Sequence, residues 1–150
     1  MNTSIFTNPM TDGIPAAPLR ATSSPAQRLR RALRVNATTS LTSGFVMALA
    51  ADWVDDLLGT GHPGWVRLVG LGVALFGIDV LLLSRSSQDQ LRRWAPAIVV
   101  ADTIWVVASV VTILLGWYST GGAVAVAAMA IAVDTFAVLQ WREWRRLTTH

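Results

Sequence analysis

Four apolar blocks separated by short polar breaks run along this chain, reading Val35 to Leu58, Trp65 to Ser84, Trp94 to Tyr118 and Gly121 to Gln140. Each approaches the roughly 20 residues a helix needs to cross a hydrocarbon core of about 30 Å. From Ala95 to Trp117 the only charge is Asp102, and from Ala123 to Trp141 it is Asp134. The first block is less uniform, its uncharged stretch ending at Ala51 before Asp52, Asp55 and Asp56. The breaks are the turn-rich Gly59 to Gly64, the polar Arg85 to Arg93, and Ser119-Thr120-Gly121-Gly122. Links this short join antiparallel neighbours. The pattern predicts an all-α polytopic membrane protein, an antiparallel bundle of four transmembrane helices over residues 35–146.

Residues 1–27 break the pattern. They are rich in Thr, Ser, Pro and Ala and show no hydrophobic periodicity, which predicts a disordered cytoplasmic tail. Residues 28–34 form a basic juxtamembrane segment in which Arg28, Arg31 and Arg34 recur every third position. Such a segment suits anionic lipid headgroups. A signal-peptide reading of the first block would use these arginines and a cleavage-like Ala48-Leu49-Ala50. The late start of the basic region and the interruptions at Asn36, Thr38, Thr39, Ser40, Thr42 and Ser43 weigh against it.

Composition strengthens the membrane reading: 53% of residues are hydrophobic and 14% charged, against about a quarter charged in soluble domains. All 12 basic residues are arginine, and all but Arg67 lie before the first block, in the second break or after the fourth block. The positive-inside rule then puts both termini in the cytoplasm, and a basic set made of arginine alone fits a GC-rich bacterial genome, so a bacterial inner membrane is expected. The sequence pI near 11 therefore points to anionic headgroups and not to nucleic acid as partner. Trp53, Trp65 and Trp117 mark one interface and Trp94, Trp141 and Trp144 the other, as amphipathic rings do, while Trp105 lies mid-helix.

The candidate chemistry is a layer of aspartates. At 1.5 Å per residue, Asp79 lies about 9 Å from Arg85, Asp102 about 13 Å from Arg93, and Asp134 about 12 Å from Arg142. All three heights are measured from the same side, and Asn36, Ser40 and Ser43 of the first helix cover the same depth. Asp102, Trp105, Ser109 and Thr112 form one stripe of the third helix, and Asn36, Ser40, Ser43 and Met47 one stripe of the first. These two stripes are expected to meet. Small residues make close-packing faces, Gly70, Ala74 and Gly77 on the second helix and Ala123, Ala127 and Ala130 on the fourth. The fourth-helix stripe leads to Asp134 and predicts that it faces protein. A carboxylate in hydrocarbon is costly enough to be a functional-site hypothesis. The bland alternative is that each polar group fixes helix register, with hydroxyls bonding back to their own helices. Asp79, Asp102, Asp134, Asn36, Ser40, Ser43 and Ser109 make up the candidate intramembrane site.

Several chemistries lack their residues. There is no cysteine and no lysine, His62 sits in a turn and His150 ends the chain. Thiol, Schiff-base and in-helix haem chemistry are thereby excluded, no phosphate-cradling glycine loop is present, and neither an enzyme nor a cofactor or metal site is expected.

The runs Arg34-Val35-Asn36, Ser43-Gly44, Arg67-Leu68-Val69-Gly70-Leu71-Gly72, Phe76-Gly77 and Asp102-Thr103-Ile104-Trp105-Val106 resemble a family of small bacterial integral membrane proteins over about residues 34–146. That family has no assigned activity, so the resemblance implies a four-helix membrane fold and nothing about chemistry. DoxX-like proteins are similar in size and helix count, without a matching functional motif. Small multidrug transporters are also of this length, but they depend on a membrane-embedded Glu in their first helix. The one glutamate here, Glu143, follows the fourth block. Two functions stand as expectations: an accessory or assembly protein, forming a homo-oligomer or joining a larger membrane complex, and an oligomeric proton- or cation-coupled transporter or channel using the aspartates.

Overall fold

The computed structural model describes residues 24–149. The tail proposed for residues 1–27 thus lies largely outside the described residues, but Pro25, Ala26 and Gln27 form the first turn of a helix. Ser24 caps it, its Oγ accepting from the Gln27 backbone amide at 3.2 Å while Gln27 Oε1 accepts from the Ser24 backbone amide at 3.1 Å. The described chain is all helical: α1 (Pro25–Leu49), α2 (Ala51–Leu58), α3 (Pro63–Arg85), α4 (Gln88–Leu114) and α5 (Thr120–Thr148). The basic segment 28–34 is continuous with α1 and not a separate surface helix. Three helices, α3, α4 and α5, are long and apolar enough to cross a membrane.

The first apolar block forms two helices instead of one. The chain bends at Ala50, with φ −114° and ψ 38°, and beside the bend Arg67 Nε donates to the Ala48 carbonyl at 3.2 Å. No proline or glycine marks the position. Helix α2 ends at Gly59, whose φ of 71° suits a residue without Cβ. The α4–α5 turn docks on this end, Ser119 N donating to the Leu58 carbonyl at 2.8 Å.

Packing is uneven. Helix α1 lies against α3 along its length and against α5, and α4 lies against α5, whereas α3 and α4 touch little. The α1–α3 contact is close because small residues meet. Gly70, Ala74 and Gly77 are buried as their spacing predicts, and they face Gly44, Leu41 and Ala37 of α1. Where the N-terminus of α1, the C-terminus of α5 and the α3–α4 turn come together, Leu29, Leu33, Val80, Leu91, Ala95 and Leu147 form the main core.

Arginines tie that end together. Arg30 donates to the Ser84 carbonyl at 2.9 Å and Arg92 to the Leu147 carbonyl at 3.0 Å, so both satisfy acceptors that helix C-termini leave open. Arg28 bonds Glu143 at 2.8 Å. Pro96 has no amide hydrogen, so the carbonyl of Arg92, four residues back, has no helical donor. Trp144 Nε1 supplies one at 2.9 Å.

Candidate functional site

The α1 and α4 polar stripes are joined at one pair. Asn36 Nδ2 donates to Asp102 Oδ2 at 2.8 Å, and Ser40 Oγ donates to Asn36 Oδ1 at 3.3 Å. Asn36 and Asp102 are 1% and 3% exposed, so this relay is interior. Asp102 makes no ion pair among the described residues. The remaining hydroxyls bond within their helices: Ser43 to the Thr39 carbonyl at 2.7 Å, Ser109 to the Trp105 carbonyl at 2.8 Å and Thr112 to the Ala108 carbonyl at 2.9 Å.

Asp79 and Asp134 do not join them. Both are exposed on the outer surface of the helices, within candidate spans. The small stripe of α5 does approach its neighbours, since Ala130 is buried and Ala123 and Ala127 half-buried, yet Asp134 lies on the flank of that face. Residue spacing gives three carboxyls one depth, but within one chain only Asp102 is turned inward.

The acidic group near α2 divides in the same way. Asp52 and Asp56 are exposed, and Asp52 sits 3.6 Å from Arg67. Asp55, by contrast, is buried; it accepts from the Thr60 hydroxyl and from the His62 amide at 3.1 Å. It closes the α2–α3 turn.

Two adjoining cavities occupy the gap left by the sparse α3–α4 contact. One, of about 350 Å³, is lined by Asn36, Ser40 and Ser43 together with Val73, Phe76 and Val133. The other, of about 730 Å³, reaches the α2 end between Trp65, Trp117 and Tyr118. Met47, Val69 and Trp105 line both. Among the described residues no group of three or more His, Cys, Asp or Glu could hold a metal ion.

Sequence reasoning missed Gln140. It is fully buried, with neither its amide nitrogen nor its amide oxygen hydrogen-bonded. Seven-residue steps put it on the α5 stripe between cavity-lining Val133 and core Leu147. An unpartnered buried amide forfeits its hydration, so Gln140→Leu is expected to raise stability by about 1–3 kcal/mol. Unfolding in detergent micelles measures this, and equal or lower stability would mean the amide has a partner. Comparison with known protein families, with curated proteins and with solved structures finds no match.

Proposed function

We propose that this chain is a noncatalytic integral membrane protein that works by lateral association, as an accessory or assembly partner. In this reading α1 joins α3, α4 and α5 as a fourth span, both termini are cytoplasmic, and the location is a bacterial inner membrane. The arginines gathered at one end of the helices support that orientation.

The observation that carries the proposal is the exposure of Asp79 and Asp134 inside candidate spans. An ionisable group within a span is costly and almost always faces protein or water; Asp134, about 12 Å inside the arginine boundary, is the deeper of the two and Asp79, about 9 Å inside it, the shallower. A neighbouring chain that offers hydrogen-bond donors removes the cost. The helix surfaces have room for one, since 33% of the apolar stretch of α3, which carries Asp79, and 17% of that of α5, which carries Asp134, is buried within the chain.

Transport through a layer of three aspartates has less support, because a single chain turns only Asp102 inward. Its best support is the Asn36–Asp102 pair beside a cavity.

Gentle extraction and sizing of particles from native membranes tests the association. The unaltered protein is expected in a particle larger than one chain. Combining Asp79→Leu with Asp134→Leu is expected to release it as a monomer with undiminished thermal stability. An unchanged particle, or a wild-type monomer, contradicts the proposal.

A further inference from the structure

The paired cavities carry an inference that does not depend on lateral association. Three observations bear on what they would hold. First, the walls are almost wholly apolar, and rings of Trp65, Trp105, Trp117 and Tyr118 line the larger chamber. The volumes, about 350 and 730 Å³, fall in the range of small-molecule sites. Second, no arginine lines either chamber, and the one titratable base, His62, sits at the α2 rim. Third, the acidic group nearest the inner chamber is Asp102: it lines neither chamber, but Asn36, which lines the inner one, donates to it at 2.8 Å, and it has no ion-pair partner among the described residues.

Each observation excludes a class. An anion would meet the Asp102 carboxylate with no basic group in the walls. A strongly hydrated inorganic cation would lose its water against a wall that offers few oxygens. A neutral apolar molecule fits the walls but draws nothing from the buried carboxylate. A cation carried on an apolar body uses every feature, because aromatic faces attract cations most strongly where water is excluded.

We propose that the two chambers form one binding site for a hydrophobic organic cation, its charge drawn towards the Asp102 carboxylate and its apolar body held against Trp105 and the neighbouring rings. Trp105 is the hinge of the site because it lines both chambers. Asn36 positions Asp102 through the 2.8 Å hydrogen bond, and Ser40 holds Asn36.

Tetraphenylphosphonium is the probe, and triphenylphosphine oxide is its uncharged comparison. Equilibrium dialysis against the full chain in nonionic micelles is expected to show saturable binding of the cation, about tenfold tighter or more than the neutral compound. Asp102→Asn is expected to remove that preference while leaving the neutral compound's affinity unchanged. Trp105→Ala is expected to weaken both compounds. Asp89→Asn, a carboxylate at the far end of α4, is expected to change neither. Equal affinity for the two probes on the unaltered protein overturns the proposal, and this comparison stands even if a variant fails to fold. A preference for the cation that survives Asp102→Asn in a folded protein also overturns it, as does the absence of saturable binding to the unaltered protein.

Discussion

Gly44→Ala is expected to lower stability by about 3 kcal/mol, the upper part of the usual range for overpacking, and Gly44→Val by more. A methyl group on Gly44 would lie 2.5 Å from the Ala74 amide nitrogen and 2.7 Å from the Gly70 carbonyl oxygen. Both neighbours are backbone of α3, so no side-chain rotation relieves the clash, and the two helices must part. The contact is reciprocal, since a methyl on Gly70 would lie 2.7 Å from the Ala48 nitrogen. Parting α1 from α3 also disturbs the walls that carry Asn36, Ser40 and Phe76. Gly72 supplies the control. It lies on the same helix as Gly70, and a methyl group there would meet nothing within 4 Å, so Gly72→Ala is expected to gain about 0.5–1 kcal/mol by stiffening the helix. Reversible unfolding in mixed micelles separates the two. Equal effects at Gly44 and Gly72 would mean that α1 does not pack on α3 as described.

The second large effect concerns the Asn36–Asp102 bond. Asn36→Ala leaves the buried Asp102 carboxyl without its hydrogen-bond partner, a loss of about 1–3 kcal/mol. Removing both groups is expected to cost less than the sum of the single changes. Interhelical hydrogen bonds in membrane proteins couple by about 0.6 kcal/mol on average and reach about 1.7. A double-mutant cycle of Asn36→Ala and Asp102→Ala is expected towards the top of that range, because both residues are almost fully buried. Additive losses within about 0.3–0.5 kcal/mol would mean the two side chains do not interact. The same cycle between Asp102 and Asp134 is expected to be additive, as one is interior and the other exposed.

Much of this arrangement follows from spacing. Apolar block length marks α3, α4 and α5 as candidate spans, the 70–74–77 stripe marks the face that α3 buries, and the three- and four-residue steps through Asn36 and Asp102 bring those residues together. Other features need the fold. Residue count gives the height of a side chain along a helix but not which way it faces in the assembly, so three aspartates share a depth while only Asp102 is interior. The small stripe of α5 narrows the choice to a flank and no further. The bend at Ala50 has no local breaker, and the Arg67 contact beside it comes from a later helix. Trp144 has the position of an interfacial ring, but its indole also serves the carbonyl that Pro96 leaves free. Pro96 is the legible half of that pair, since a proline inside a helix always leaves a carbonyl to be satisfied. Gln140 closes the fourth apolar block, where a polar residue reads as a boundary, yet it is fully buried.

Photo-crosslinking in native membranes shows whether the exposed aspartates mark surfaces covered by another chain. Photoreactive side chains at Leu82 and Ile131, which are 59% and 69% exposed, lie three residues from Asp79 and Asp134 on the same helical faces and leave both carboxyls intact. Protein adducts are expected from both positions, either with a second copy or with one defined partner, and are expected to be lost when the adjacent aspartate is replaced by leucine. Adducts with lipid alone, or protein adducts that persist without the aspartates, would contradict lateral association through these surfaces.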